Sequence, residues 1–193
     1  MSLEYALERY PMTHRLGNGS NCTIRPLKKS DSPRLREFLL AVPEQERMFI
    51  KFPVDDEAFL QRWCRQVDFA EHLPLLMLQG DRVIGEASLH QSPGGGKRHI
   101  GLAGILTLPD FRAPDVTTTL MEEVISIARH AGLTKLETEL NGDRKVAINT
   151  LEQLGFRQLV RLAGYLVDMK REAHDYVLMG MELITDEEYA GAG

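Results

Sequence analysis

The chain has 193 residues, 43% of them hydrophobic and 26% charged, with a formal net charge of −5. This length fits one large domain with a real core, no stretch approaches the roughly 20 apolar residues that cross a bilayer, and the mild acidity argues against a general nucleic-acid binder. Two cysteines are too few for a disulfide framework or a zinc site, so we expect a reducing, cytoplasmic compartment. From the apolar pattern and the charge we expect no membrane partner and no nucleic-acid partner.

The first residues predict a lead-in that ends in a turn. The stretch 17–20 (GNGS) is turn-like and stands between Leu16 and an apolar run, as in a hairpin or a bent entry into a strand. The first strand is predicted at about residues 22–26. We therefore divide the chain into an N-terminal lead-in, residues 1–21, and a single domain, residues 22–193.

Two helices are predicted next. Ser32 followed by Pro33 is a typical helix start, and an apolar stripe follows it. A second helix is expected from near Asp55. The expected buried stripes are Leu35, Phe38, Leu39 and Val42 in the first helix, and Phe59, Leu60, Trp63 and Val67 in the second.

The middle of the chain predicts three strands, at 75–79, 83–90 and 99–108. Gly80-Asp81-Arg82 separates the first two and is typical of a hairpin turn. The glycine-rich loop 92–97 is interpreted as a long turn rather than a phosphate cradle, because no helix follows it.

Residues 110–131 carry the clearest helical pattern in the sequence. Pro114 stands near the predicted start and Gly132 just past the end, as helix ends prefer. The spacing of three and four predicts one buried face, formed by Val116, Leu120, Val124, Ile127 and Ala131.

The last third alternates again between strand and helix. A strand is predicted at 135–140, a helix at 146–154 that Gly155 closes, and final strands near 158–168 and 176–183. The predicted order, β-α-α-β-β-β-α-β-α-β-β, indicates an α/β fold with a mixed sheet and helices on both faces. The strand 99–108, the helix 114–131 and the strand 135–140 are a candidate for a right-handed crossover unit.

This order and several local sequences resemble the GNAT superfamily of N-acetyltransferases. The matching stretches are 106–112 (LTLPDFR), 129–136 (RHAGLTKL), 154–156 (LGF), and 181–183 (MEL) after Asp175. At the front end, Tyr10-Pro11, Gly19, 23–27 (TIRPL), Asp31, 42–44 (VPE) and Lys51-Phe52 look like the subgroup that includes bacterial protein-lysine acetyltransferases. The resemblance covers about residues 10–185 and implies the GNAT fold.

The resemblance also implies where acetyl-CoA would bind. In the family it lies in a V between two splayed strands, where backbone groups at the end of one strand hold the pantetheine and polarise the thioester carbonyl. Those residues here would be Ile105, Leu106 and Thr107. The pyrophosphate lies on the N-terminus of the long helix. The corresponding residues are Arg112, Ala113, Asp115, Val116, Thr117 and Thr118.

This pyrophosphate loop is degenerate. The family motif at this loop is Arg/Gln-x-x-Gly-x-Gly/Ala, whereas this chain has Asp115 and Thr117 at the two glycine positions. In addition, Pro114 removes one N–H donor. Two unit charges about 4 Å apart at an effective dielectric of about 20 interact by roughly 4 kcal/mol. Asp115 therefore opposes acetyl-CoA binding if it faces the pyrophosphate, and matters little if it faces solvent or pairs with Arg112.

Three side chains that many relatives use for proton transfer are also replaced. The usual strand glutamate aligns with Leu102, the tyrosine that protonates the thiolate aligns with Leu151, and the asparagine that opens that segment aligns with Arg144. Proximity and a polarised carbonyl still supply much of the rate in such reactions. We therefore assign no catalytic residue from the sequence.

Other polar residues have ordinary interpretations beside their functional ones. His99 is a candidate base or a solvent-facing histidine, and Tyr165 a candidate proton donor or a half-buried aromatic. We interpret Glu86 and His90 as surface alternation, Glu137 and Glu139 as an exposed face, and Asn149 as a polar helix position. Because His72, His130 and His174 lack ligand-like spacing, no metal site is expected.

The leading hypothesis is an acyl-CoA-dependent N-acetyltransferase that acts on a primary amine of a protein lysine, a peptide terminus or a small metabolite. A catalytically impaired GNAT-fold module that senses a ligand or binds a protein is the alternative, and an aminoacyl donor is a third possibility. A homodimer through the closing strands is left open. The expected partners are therefore acetyl-CoA and an amine acceptor.

Overall fold

A computed structural model of the protein describes residues 3–50, 52–111 and 114–184. The strands are β1 (Met12–Arg15), β2 (Asn21–Pro26), β3 (His72–Gln79), β4 (Arg82–Gln91), β5 (Ile100–Thr107), β6 (Lys135–Asn141), β7 (Arg157–Val167) and β8 (Ala173–Glu182). The α-helices are α1 (Ser32–Ala41), α2 (Glu57–Gln66), α3 (Pro114–His130) and α4 (Lys145–Gln153). None of the helices in these ranges is long and apolar enough to cross a membrane.

All eight strands join in one sheet in the order β1-β2-β3-β4-β5-β6-β8-β7. Neighbouring strands are antiparallel except β5 and β6, which are parallel and are connected through α3. The predicted α/β class, mixed sheet and crossover are confirmed. The observed order adds one strand to the prediction, since β1 precedes the predicted first strand.

The added strand β1 forms a hairpin with β2, which is one of the two alternatives that the turn-like stretch left open. It pairs with β2 from Met12 opposite Ile24 to Arg15 opposite Asn21. Gly19 takes a φ of +85°, which the turn requires and which residues with a side chain rarely adopt. The preceding 3-10 segment buries Leu3 and Ala6, so this end of the chain packs into the same core as α3.

Helix α3 packs on one face of the sheet with the buried side that its spacing predicted. Val116, Leu120, Val124 and Ile127 are at most 1% exposed, and Ala131 follows them into the core. Gly132 and Gly155, with φ of +75° and +98°, end α3 and α4 in the left-handed conformation. This core positions the N-terminus of α3 beside the β1–β2 hairpin.

A second core lies on the opposite face, beneath α1 and α2. The predicted stripe of α1 is fully buried, whereas in α2 the buried residues are Leu60 and Cys64, and Phe59, Trp63 and Val67 are half-buried. The stripe of α2 is thus rotated slightly from the prediction, because Cys64 was not counted as apolar. Half-exposure of Trp63 leaves its ring at a cavity between α2 and the sheet.

Close packing of α3 on β4 depends on Gly85. A Cβ atom at this position would lie 2.9 Å from Leu120 Cδ1 and 3.0 Å from Val116 Cγ1. We expect Gly85→Ala to lower the free energy of unfolding by about 1–3 kcal/mol, as overpacked core sites do. Urea denaturation followed by circular dichroism measures the change.

Gly94→Ala is the matched control, because nothing lies within 4 Å of a Cβ at Gly94 and its φ is not in the left-handed region. It should change the stability by no more than about 0.5 kcal/mol. Equal effects of the two substitutions would contradict close contact between β4 and α3.

Candidate active site

Strands β5 and β6 pair over only part of their length and then diverge. Their parallel register runs from Ile100 opposite Lys135 to Ala103 opposite Thr138. Beyond this point β5 continues to Thr107 along β4, and β6 continues to Asn141 along β8. The two strands therefore form the V that the resemblance implied, and Ile105, Leu106 and Thr107 lie on its β5 arm.

Polar groups stand at the fork and in the opening of this V. Thr138, the last paired residue of β6, is 1% exposed, and within the described ranges its hydroxyl has no hydrogen-bond partner. Arg144, just before α4, donates a long hydrogen bond of 3.4 Å to the Ile105 carbonyl. The same guanidinium lies 3.4 Å from a carboxylate oxygen of Glu46. Arg144 therefore bridges from the β5 arm to the segment after α1.

On the face covered by α1 and α2, the V opens into a cavity of about 430 Å³. Its sheet wall consists of residues that project to one face of β3, β4 and β5, because cross-strand partners share a face. These residues are His72, Pro74, Leu76, Glu86, Ser88, His90, Leu102, Gly104 and Leu106. Leu35, Leu39, Phe49, Ile50, Phe52 and Trp63 form the opposite wall.

Glu86 brings a carboxyl group into this cavity. It is half-buried on β4, opposite Leu76 of β3 and Leu106 of β5. Burial raises its pKa to about 8, although a hydrogen bond with Ser88 favours the ionised form and opposes the shift. The interpretation of Glu86 as a surface position is therefore wrong, whereas His90 on the same strand is exposed as expected.

Two histidines stack at the end of the cavity. His72 and His90 are cross-strand partners whose ring centroids are 3.6 Å apart, and Trp63 lies 5.6 Å from His72. Burial, with a smaller effect of His90, lowers the pKa of His72 to about 3. His72 is therefore a neutral imidazole at physiological pH and does not supply a cation to the cavity.

Strand β6 adds two further carboxylates beside the cavity. Glu139 accepts a hydrogen bond of 2.9 Å from the Tyr176 hydroxyl, and Glu137 lies 3.8 Å from the Lys97 ammonium group. Burial raises the pKa of Tyr176 to about 12, and Glu139 adds to the effect. Both glutamates are half-buried and line a second, smaller depression, so the prediction of an exposed face is wrong.

At the N-terminus of α3, Asp115 is held by two backbone donors. Its Oδ2 accepts a hydrogen bond of 2.8 Å from the Gly17 N–H of the β1–β2 hairpin, and its Oδ1 one of 3.0 Å from the Val116 N–H. Val116 and Thr117 are buried and Thr118 is half-buried. Arg112 and Ala113, two of the predicted pyrophosphate contacts, lie outside the described residues. Asp115 thus occupies a donor that an anion at this helix end would use.

The structure places the remaining candidates apart from the cavity, with one exception. Leu102 is 36% exposed and lines the cavity, while Leu151 is buried in the α3 core. His99 is exposed just before β5, Asn149 is exposed on α4, and Tyr165 on β7 is 66% exposed rather than half-buried. None of these three lines the cavity within the described part of the chain.

His174 belongs to a network at the turn between β7 and β8. Its ring nitrogens lie 2.7 Å from Asp143 and 3.3 Å from Asp168. These two hydrogen bonds raise the pKa of His174, and the bond with Asp143 has the larger effect. Asp168, Glu172 and His174 bring potential ligand atoms within 4.8 Å of one another, which the sequence spacing did not indicate. Asp168 accepts backbone hydrogen bonds from Lys170 and Glu172, so this group braces the turn.

Sequence reasoning missed the residues that close the cavity. Glu46 and Phe49 lie in the segment after α1, far in sequence from Arg144, and no periodic pattern links them. The period-two spacing of Glu86, Ser88 and His90 was available, and it shows that they share a face. It does not show whether solvent or two helices cover that face.

Solved structures with the same fold have low sequence identity to this chain. The GNAT domain of S. lividans PAT has a TM-score of 0.72 at 17% identity, and the match covers 91% of this chain and 98% of that domain. The protein yncA from Salmonella typhimurium, solved with its cofactor acetyl-CoA, has a TM-score of 0.70 at 18% identity, with 86% and 95% covered. A ribosomal-protein-alanine N-acetyltransferase from Brucella melitensis has a TM-score of 0.69 at 19% identity, with 83% and 99% covered.

Fold and site thus define an α/β protein with a diverging pair of parallel strands. The family model described as the Acetyltransferase (GNAT) family matches residues 36–156. The chain therefore belongs to the GNAT acetyltransferase family. The match includes β5, β6 and α3, the elements that form the V and the helix end beside it.

The raised pKa of Glu86 predicts a pH-dependent contribution to stability. Between its ordinary value of 4.5 and about 8, the unfolded chain loses the proton of this carboxyl while the folded protein retains it. The free energy of unfolding of the wild type should therefore fall over this range relative to Glu86→Gln, and the difference should level off above about pH 8. Urea denaturation of both proteins at pH 5, 6.5 and 8 measures it.

The other titrating groups at the cavity, His72, His90, Glu46 and Glu139, are present in both proteins and largely cancel in this difference. Glu152→Gln, at an exposed position of α4, is the control and should follow the wild type at every pH. If the difference in the free energy of unfolding between the wild type and Glu86→Gln does not change with pH, Glu86 is not a buried, protonated carboxyl.

Proposed function

We propose that the protein is an acetyl-CoA-dependent N-acetyltransferase that transfers the acetyl group to a primary amine. The observation that carries this proposal is the V between β5 and β6, which opens into a cavity lined by carboxylates. A thioester in the V meets an amine from the cavity at this opening. Holding two reactants side by side supplies a large part of the rate of an acyl transfer.

The residues at the V fit an acyl-CoA donor. Backbone groups of Ile105, Leu106 and Thr107 lie on the arm of β5 that no longer pairs with β6, where they can bind pantetheine amides and polarise a carbonyl. The unpartnered hydroxyl of Thr138 at the fork offers a further polar contact. The N-terminus of α3, with Val116, Thr117 and Thr118, would receive the pyrophosphate together with Arg112 and Ala113.

Two side chains compete with such a donor. Arg144 donates to the Ile105 carbonyl, and Asp115 accepts from the Val116 N–H. Neither contact is covalent, and the hydrogen bond of Arg144 is long. Binding of acetyl-CoA requires both side chains to exchange partners, so we expect a donor affinity lower than an intact glycine loop would give.

The same two contacts favour a second candidate, a catalytically impaired GNAT-fold module that senses a ligand or binds a protein. In that function the contacts of Arg144 and Asp115 are permanent and the V takes no donor. Leu151, buried where many relatives have a tyrosine, agrees with it. The cavity of about 430 Å³ would then hold a sensed ligand.

Calorimetric titration with acetyl-CoA separates the two functions. We expect the wild type to bind acetyl-CoA and Asp115→Asn to bind it more tightly, because the amide keeps the shape of the side chain without the negative charge at the helix end. A gain of about tenfold corresponds to roughly 1.4 kcal/mol. Release of free CoA thiol with a panel of primary amines then measures transfer.

Glu122→Gln is the matched control, since Glu122 is exposed on the same helix about two turns further from its N-terminus. Its acetyl-CoA affinity should equal that of the wild type. Absence of binding by the wild type and by Asp115→Asn at millimolar acetyl-CoA would overturn the acetyltransferase and favour the non-catalytic module.

A further inference from the structure

The charged groups that face the cavity favour a cationic guest. Arg144 is the one always-charged cation that lines it within the described ranges, and this arginine already pairs with Glu46. His72 is neutral because its pKa is about 3. Glu86 and Glu139 face the same space, and in the described part of the chain their hydrogen bonds are with the Ser88 and Tyr176 hydroxyls, so an ammonium group meets two carboxyl groups there.

The size and walls of the cavity favour a compact apolar body. A volume of about 430 Å³ lies within the range of sites that hold a whole small molecule, about 300–1,000 Å³. The wall opposite the sheet is formed by aliphatic and aromatic side chains, and in it Phe52 stacks on Phe59 and lies tilted against Trp63. Helices α1 and α2 and the segment after α1 provide this wall, so a compact apolar group is contacted from both sides in the cavity.

We propose that the acceptor is a compact primary amine with an apolar body and a single ammonium group, and that Glu86 binds this ammonium group and takes its proton. This proposal rests on the acetyltransferase function and names its substrate class. Glu86 is placed for the role because it lies opposite Leu106 on β5, beyond the last residue pair of β5 and β6 and therefore beside the opening of the V.

The remaining carboxylates at the cavity have other partners. Glu46 pairs with Arg144, and Glu139 accepts a hydrogen bond from the Tyr176 hydroxyl. Glu86 has the Ser88 hydroxyl beside it, and this hydrogen bond favours the ionised form and opposes the effect of burial. A bound ammonium group also favours the ionised form, so it lowers the pKa of Glu86 from its raised value, and the resting proton leaves to solvent. The guest itself thus generates the carboxylate that acts as the base.

The chemical step balances with one proton released. The Glu86 carboxylate takes a proton from the ammonium group, and the freed nitrogen lone pair attacks the thioester carbonyl carbon. As the tetrahedral adduct collapses, the C–S bond breaks and the second proton passes from nitrogen to the departing sulfur. The products are the N-acetylated amine and CoA thiol, and Glu86 is protonated again, as in the resting cavity. The one proton released is the one that left Glu86 when the ammonium group bound.

Trp63 reports occupancy of the cavity without any catalysis. It is the one tryptophan of the chain, and it lines the cavity. We would titrate benzylamine, 2-phenylethylamine, 3-phenylpropylamine and n-hexylamine into the protein and follow its fluorescence, with 2-phenylethanol as the uncharged control. At least one amine should bind, and 2-phenylethanol should bind at least about tenfold more weakly than 2-phenylethylamine because it lacks the charge.

The matched variants are Glu86→Gln and Glu137→Gln. Both replace a glutamate by glutamine on the same face of the sheet, but Glu86 lines the cavity and Glu137 lies outside it. Glu86→Gln should weaken amine binding by at least about tenfold and leave 2-phenylethanol unchanged, because a charge-assisted contact is lost. Glu137→Gln should bind the amines as the wild type does. Circular dichroism confirms that both variants fold.

Kinetics then separate binding from proton transfer. With the amine that binds best, Glu86→Gln should lower kcat/KM by about 10²–10⁴-fold, the usual contribution of a general base. The wild-type profile should show an inflection near pH 8 that the variant lacks. His72, His90, Glu46 and Glu139 also face the cavity and are unchanged in the variant, so the lost inflection belongs to Glu86.

Each failure points to a different claim. Equal binding of amines by wild type and Glu86→Gln, or no binding of any of the four amines, overturns the acceptor proposal even if acetyl-CoA binds. Acetylation of a lysine-containing peptide but of none of the four amines overturns the compact substrate class. Failure of acetyl-CoA to bind, with amine binding that depends on Glu86, instead overturns the transferase function on which the chemical step rests.

Discussion

The divergence of β5 and β6 is the constraint on which the site depends. Parallel strands normally keep pairing because buried backbone donors and acceptors are costly to leave without partners. Here pairing ends at Ala103 and Thr138, and the remaining lengths of both strands are held from their outer sides, β5 by β4 and β6 by β8. The V is therefore maintained by antiparallel neighbours, and on its β5 arm the Ile105 carbonyl accepts a hydrogen bond from Arg144 rather than from β6.

Packing fixes where the divergence begins. At the paired end of β5, a Cβ on Gly101 would lie 2.8 Å from Leu89 and 2.9 Å from Leu133, so glycine lets these leucines close over the strand. The crossover through α3 is held by the same contacts, because Leu133 follows its last turn. The pairing of β5 and β6 is thus closely packed at the end opposite the opening.

The cavity contains an acid that the fold tolerates because it is protonated. An ionised carboxylate without a cation in an apolar wall is costly, and Glu86 avoids the cost through its raised pKa. Arg144, which is always charged, is instead paired with Glu46 and with the Ile105 carbonyl. Beside Glu139, which accepts the hydrogen bond of Tyr176, the resting cavity therefore holds the ion pair of Arg144 with Glu46 and the protonated Glu86. Glu86 is the group whose charge a cationic guest can recruit.

Local patterns allowed most of the fold to be predicted, while the site required contacts that no local pattern contains. The face of α3 follows from its own spacing, and Gly132 and Gly155 end their helices as expected. Strand β1 was missed because its sequence, MTHR, has little strand character and is ordered by pairing with β2. The burial of Glu86 comes from α1, α2 and the segment after α1, so the alternation along β4 indicated its face but not its surroundings.

Asp115 shows how a motif and its context can have different meanings. In the family pattern this position is a glycine, which lets an anion approach, whereas Asp115 carries a negative charge. Its two carboxylate oxygens nevertheless connect the β1–β2 hairpin to the start of α3, because they accept hydrogen bonds from the N–H groups of Gly17 and Val116. A carboxylate at a helix N-terminus is favourable by itself. A pyrophosphate that binds at this helix end displaces the Asp115 carboxylate. The net gain in binding free energy is therefore only the difference between the interactions of the two anions with the helix end. In the proposed transferase, the substitution would therefore weaken donor binding without removing the helix end that the donor would use.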